Sequence, residues 1–203
     1  VSPLVGPGPV TRSWIHPSPA WMQRAGHAVL AGGGVWLIDP PDGEEVEAAV
    51  AELGTPAGVL QLLDRHPRDC AAIAQRLGVP HLRVPLDGAA LPFEVLPQWH
   101  LPFWKEDALW LPEHRVLVVA EALVGAPDFA APGETVGVHP ARRLLPPGAL
   151  GRLEPETLLM GHGPPLHGAA ARAAIDDALH GARRRLPLLL GAQAVRAVRG
   201  RFR

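Results

Sequence analysis

The sequence predicts an α+β domain, a β-sandwich covered by helices. Short apolar runs of strand length recur along the chain, bounded by Gly and Pro. Amphipathic helical stretches fall between them. The second half then repeats this mixture of strands and helix, and two mixed halves of this kind pack as layered sheets with helices outside. With 203 residues, 47% of them hydrophobic, one domain with a substantial core is expected. No internal repeat or linker divides it, so residues 1–203 read as a single domain.

Residues 1–25 are Pro-rich and read as an extended surface segment, with Trp14, Ile15 and Trp21 tucked inward. Residues 26–31 and 35–39 flank Gly32-Gly33-Gly34 and read as a β-hairpin. Pro40-Pro41 stops its second strand. Residues 43–53 read as a helix, with Val46, Ala49, Val50 and Leu53 on one face and early glutamates suited to a helix N-terminus. Residues 58–63 are a strand. Residues 68–77 are a helix, with Asp69 in a capping position and Gly78 as its stop. Residues 79–84, 93–96, 108–111 and 116–123 are further strands, with Pro112-Glu113-His114 as a turn. Residues 157–160 are a strand and 169–185 a helix, followed by a basic tail over 186–203.

Composition excludes several functions. A formal net charge of −1 gives no reason to expect nucleic acid or a membrane surface as partner. The arginines crowd at the end, at Arg183-Arg184-Arg185 and from Arg196 onward, where a solvated helix face is the first reading and an anionic contact the second. The single cysteine, Cys70, allows no internal disulfide. No apolar run approaches the ~20 residues of a membrane span, and the first residues lack the apolar core of a signal peptide. The cytoplasm is the expected location. A Gly-x-Ser-x-Gly elbow, a P-loop and a dinucleotide fingerprint are all missing.

Five short segments, in order over residues 26–185, resemble the metallo-β-lactamase superfamily. Val35-Trp36-Leu37-Ile38-Asp39 looks like the strand ending in that family's structural aspartate. Residues 60–70 look like the strand and loop that carry its His-x-His-x-Asp-His metal motif. His100 to Lys105 is similar to its Pro-Gly-His-Thr segment. Residues 118–123 resemble the strand ending in Gly-Asp, and Met160-Gly161-His162-Gly163 the closing Gly-His-Gly loop. The resemblance implies a four-layer αββα sandwich. In such a site histidines and a bridging carboxylate hold one or two metal ions, which lower the pKa of a bound water to make a nucleophile.

The ligands that the resemblance implies are mostly replaced. With Asp69 on the motif aspartate, the two preceding histidine positions hold Arg65 and Pro67, and the following one holds Cys70. Trp104 stands where another histidine is expected, and Glu121 replaces the bridging aspartate. Asp69 and His162 match by type, while His66 would need a one-residue slip in the loop to reach the site. The metal candidates are therefore Asp69, Glu121, His162, His66 and Cys70, and zinc is the ion they would hold. The bland readings stand beside them: Asp69 as a cap, Cys70 as a core residue, Glu121 as a partner of Arg65 or Arg68. His100 reads as a turn residue.

Arg65, Arg68 and Trp104 are candidates for a ligand site. Either arginine can compensate carboxylates where a metal would otherwise sit. No cofactor is the first expectation, and no catalytic residue can be assigned. The sequence thus points to a non-catalytic relative that binds a small molecule or a protein, with a homodimer among the partners. A mononuclear hydrolase and a structural or self-associating protein are the alternatives.

Overall fold

The computed structural model describes residues 8–200. The first sheet runs β1 (Thr11–Ile15), β2 (Ala25–Ala31), β3 (Gly34–Ile38), β4 (Pro56–Gln61), β5 (His81–Arg83), each hydrogen-bonded to the next. The first three strands are antiparallel and the last three parallel. Parallel neighbours need a crossover, supplied by α1 (Glu44–Leu53) between β3 and β4 and by α2 (Cys70–Leu77) between β4 and β5.

The second sheet contains β6 (Glu94–Leu101), β7 (Trp104–Leu111), β8 (Val116–Val119), β11 (Thr157–Met160) and β12 (Leu166–His167), in the order β12-β11-β8-β7-β6. Only the β8–β11 pair is parallel among these. A two-strand ribbon of β9 (Leu123–Val124) and β10 (Gly137–Val138) lies apart from both sheets. The chain closes with α3 (Gly168–Gly181) and α4 (Leu186–Gly200).

Strand alternation builds four layers. Successive side chains point to opposite faces, so Leu37 and Val59 join Val46, Ala49, Leu53 and Ile73 of α1 and α2 in an outer core. Their neighbours Ile38 and Leu60 face inward, to a central core shared with Leu109, Leu111, Val118 and Leu159 of the second sheet. Leu117, Val119, Leu158 and Met160 point the other way, onto Ala171, Ile175 and Ala178 of α3. Three apolar layers between helix, sheet, sheet and helix make the αββα sandwich. Each buried Leu or Val contributes about 1.5–3 kcal/mol.

Several local expectations are corrected. Residues 11–15 form an edge strand rather than an extended surface segment, and Trp21 is 39% exposed while Trp14 is buried. The helix begins at Cys70 because Arg68 has φ 39°, a left-handed conformation that a helix cannot include. Asp69 does not cap it; its carboxylate accepts the Asp42 N–H at 2.9 Å instead. Gly78 does close the helix, at φ 67°. The strand expected over 116–123 is interrupted, because the buried Glu106 carboxylate captures the N–H groups of Glu121 (2.8 Å) and Ala122 (2.6 Å). His100 lies within β6 rather than in a turn, 2.6 Å from Asp107. The expected basic tail is helix α4 as far as Gly200.

The two sheets meet where the backbone of residues 62–64 crosses β7: Asp107 N–H donates to Leu62 O and Asp64 N–H to Lys105 O, both at 3.0 Å. β2 meets the residue after β11 through Ala25 N–H to Gly161 O at 2.9 Å. Two parallel pairs, β3 with β4 and β8 with β11, end on the side where these contacts join the sheets, and strand ends of this kind commonly carry ligand sites.

Candidate functional site

Each of those four strand ends delivers one polar side chain: Asp39 after β3, His66 after β4, Glu121 after β8 and His162 after β11. The group is buried: His66 is 5%, Glu121 9% and His162 2% exposed. One ligand atom from each of His66, Glu121 and His162 lies within 4.8 Å of the others. His66 Nε2 is 3.2 Å from Glu121 Oε1 and 3.4 Å from His162 Nε2.

The outer nitrogens are fixed by hydrogen bonds. His162 Nδ1–H donates to Met22 O at 2.9 Å, so its Nε2 presents a lone pair to the cluster. Burial and the neighbouring charges of His66 and Arg68 press the His162 pKa down to about 4, against the Met22 bond and Glu121. His66 Nδ1 lies 3.2 Å from Asp39 Oδ2, and Asp39 Oδ1 accepts the Leu62 N–H at 3.0 Å. Such carboxylate and carbonyl partners orient metal-binding histidines. They orient a proton equally well. The His66 ring thus bridges Asp39 on one side and Glu121 and His162 on the other.

One guanidinium and three imidazoles surround Glu121. Arg65 donates to its Oε2 at 3.1 Å, and His139 Nε2 is 3.6 Å from the same oxygen. Burial alone would raise the carboxyl pKa, but the His66 hydrogen bond and the charges of His66, His139 and Arg65 outweigh it and bring Glu121 to about 2. His139 itself is pushed down to about 4, chiefly by burial. The Arg65 guanidinium lies 3.7 Å over the Trp104 ring, and Trp104 packs edge-on to His139 at 4.9 Å. Phe129 packs against both His139 (5.4 Å) and His162 (5.1 Å). Trp104 Nε1–H in turn donates to Glu106, the carboxylate that holds the Glu121 backbone.

Arg68 is spent on the backbone. Its guanidinium donates to Ala25 O, Asp39 O and Gly161 O, tying three strand ends together. Burial lowers its pKa to about 10, and Asp39 works against that shift.

Of the residues the sequence singled out, His66, Glu121 and His162 come together, with Arg65 and Trp104 over them and Arg68 beneath. Asp69 is not in the group, since its carboxylate serves Asp42. Cys70 is buried in the core between the first sheet and its helices, and burial raises its thiol pKa far above the ordinary range. Four contributors were not singled out. His139 and Phe129 carry no ligand spacing, Glu106 sits inside an apolar strand, and Met22 acts through its carbonyl. Asp39 was read as structural, and the structure adds its bond to His66.

The group fits one metal ion better than two. Zinc bound at ~2.0–2.1 Å needs three or four converging donors, and His66 Nε2, Glu121 and His162 Nε2 converge. The site positions held by Arg65, Pro67 and Trp104 supply no ligand for a second ion.

No family model matches the sequence, and no curated protein does. Solved structures do match. A metallo-β-lactamase from Pontibacter korlensis aligns over 89% of this chain and 98% of its own, at 12% identity and a TM-score of 0.59. The chain has the metallo-β-lactamase fold. FIM-1 from Pseudomonas aeruginosa, in its mono-zinc form, aligns over 87% of this chain and 91% of its own, with 13% identity and a TM-score of 0.56. The chemotaxis sensor ODP from T. denticola, in its apo state, aligns over 87% and 92%, with 14% identity and a TM-score of 0.51. At such identities the shared property is the fold, and this chain is a divergent example of it.

Proposed function

We propose that this protein is a non-hydrolytic metallo-β-lactamase-fold protein that recognises a small molecule or a protein partner. The observation that carries this reading is the Arg65–Glu121 ion pair beneath the Trp104 ring. A fixed cation already neutralises the carboxylate that a metal would use, and it opposes a divalent ion at short range. Asp39 and Glu121 are balanced by Arg68 and Arg65, so the network needs no metal for charge neutrality. That a chemotaxis sensor shares the fold supports a use other than hydrolysis. A cytoplasmic setting belongs to the same reading. Among the described residues no helix is long and apolar enough to cross a membrane.

One observation favours a second reading, a hydrolase with a mononuclear zinc site. The His162 lone pair faces His66 and Glu121 in a geometry that a single ion could hold. Zinc would there be held by His66, Glu121 and His162 and would activate a bound water.

Elemental analysis of the chain purified without added metal separates the two. Well under one zinc, manganese or iron per chain is expected, with no hydrolysis of β-lactams, thioesters or phosphodiesters. Two metals per chain would overturn the first reading. One metal, lost in His162→Ala together with a measurable hydrolase activity, would put the second in its place.

A further inference from the structure

Helix α4 has an unusual outer surface. Pro187, Leu188, Leu190, Gly191, Ala194 and Val195 are all exposed, and none is polar. A helix facing water normally carries its charges on that side. Here the polar residues face the body of the protein instead: Gln193 donates to Asp128 O at 3.2 Å and Arg196 to Pro127 O at 2.6 Å, flanking the buried Leu189. A second apolar segment joins this corner. Arg183 donates from Nε to Leu144 O at 2.9 Å, which holds Leu144 and Leu145 at the entry of α4. Leu144, Leu145, Leu188, Leu190 and Val195 are between 51 and 71% exposed.

The charge of α4 and its flanking sequence has one sign. From residue 178 to the last residue the sequence has seven arginines and no acid. Arg183 and Arg184 are exposed at the helix entry, and Arg199, Arg201 and Arg203 follow in the sequence. Of the acids that reach the corner, Asp177 and Glu134 are paired with Arg185, and the exposed Asp128 stands alone against the three exposed arginines Arg183, Arg184 and Arg196.

We propose that this corner, the outer face of α4 with Leu144 and Leu145, docks the protein onto an anionic lipid surface. An apolar arc with cationic ends suits a helix lying in the headgroup layer, where leucines enter the acyl boundary and arginines meet anionic headgroups. A second copy is disfavoured by charge, because the exposed Arg183 and Arg184 at one end and Arg196 toward the other oppose their counterparts in parallel and antiparallel pairing alike. This docking goes beyond the reading of the buried site and uses none of its residues.

Flotation of the full chain with vesicles tests it. Vesicles of phosphatidylcholine alone should not carry the protein, while vesicles of equal parts phosphatidylcholine and phosphatidylglycerol should, and added salt should release it. Binding should fall roughly fivefold for each arginine exchanged in Arg183→Ser and Arg184→Ser. It should be lost in Leu188→Ser with Leu190→Ser. Leu188, Leu190 and Arg184 are exposed, so their variants should keep the wild-type melting curve, whereas Arg183→Ser also releases Leu144 O. Failure to float with anionic vesicles would overturn the proposal, as would binding that survives the leucine exchanges. A dimer in light scattering that the leucine variants dissolve would also overturn it, by giving the arc to a second copy.

Discussion

The two loops that bring His66 and His162 together are held by opposite means. Residues 161–163 are clamped by backbone. Gly161 N–H donates to Val119 O and Ala120 O, and Gly125 N–H donates to His162 O. A Cβ at Gly161 would stand 2.5 Å from Ala120 O, and one at Gly163, where φ is 96°, would stand 2.6 Å from the Gly125 carbonyl carbon. Residues 62–64 share two backbone bonds with β7, but the rest of the hold on residues 62–69 comes from side chains. Asp39 holds Leu62 N–H, Gln61 holds Leu63 O, Asp64 holds Lys105 N–H, and Arg68 holds three carbonyls. A backbone clamp tolerates no substitution at its contact points. A side-chain clamp can be built from other residues, so its sequence can drift while the histidine stays in place.

The most direct way to break this contrast is Gly161→Ala. No flexible side chain can yield to the new methyl, only the Ala120 carbonyl, so a loss of about 4 kcal/mol or a failure to fold is expected in urea unfolding. A variant within about 1 kcal/mol of wild type would show that the loop is soft and the contrast unfounded. Arg68→Met should come next, with about 3 kcal/mol lost, because it strips buried carbonyls of their donor and leaves Asp39 with less compensation. If Arg68→Met unfolds as late as wild type, the side-chain clamp is not what holds the loop.

The same contrast explains what the sequence disclosed. The Gly-His-Gly loop was legible, because close backbone approach can only be written with glycine. The layered fold was legible too, from apolar runs of strand length such as residues 35–38, 116–119 and 157–160, whose side chains the structure divides between neighbouring cores. At residues 62–69 the sequence offered both Asp69, in register, and His66, after a one-residue slip. Asp69 matched the motif by type, yet Arg68 at φ 39° turns the chain so that His66 enters the group and Asp69 turns to Asp42. Nothing in residue type signals that turn, because a non-glycine residue rarely adopts it. His139 and Glu106 were illegible for a different reason: their roles depend on contacts across 18 and 15 residues of sequence with Glu121. The edge strand β1 was hidden by its prolines on either side.

Acid should loosen the two loops unequally. His27 is buried beneath the backbone clamp, with Nε2–H donating to Met160 O and Nδ1 accepting from Ser13 Oγ, both at 2.8 Å. Burial lowers its pKa from 6.5 to about 4, the Met160 bond partly opposing it. The folded state therefore binds this proton less readily than the unfolded chain. The stability from a neutral His27 is complete above pH ~6.5 and is lost as the pH falls toward the folded value, by at most about 3 kcal/mol. Urea midpoints between pH 7 and pH 4 should show this decline added to those of His139 and His162, and His27→Gln should make it shallower. An equal decline in His27→Gln would move the origin of the acid sensitivity elsewhere.

The smallest effect on stability, and the sharpest on the site, is expected from Arg65→Ala. Arg65 is 47% exposed on its side chain, so its ion pair with Glu121 is screened and its stacking on Trp104 is shared with solvent. Its removal should cost less than about 1 kcal/mol. Its electrostatic influence on a divalent ion is another matter. A permanent charge one carboxylate away opposes zinc at His66, Glu121 and His162, and deleting it should raise zinc affinity by roughly tenfold or more at an effective dielectric near 20. Titration calorimetry on wild type and Arg65→Ala measures the difference directly, with Arg65→Lys as the control that keeps the charge. Equal affinities in all three would mean that the arginine does not stand in for a metal, and that the weakness of the site has its cause in the ligands themselves.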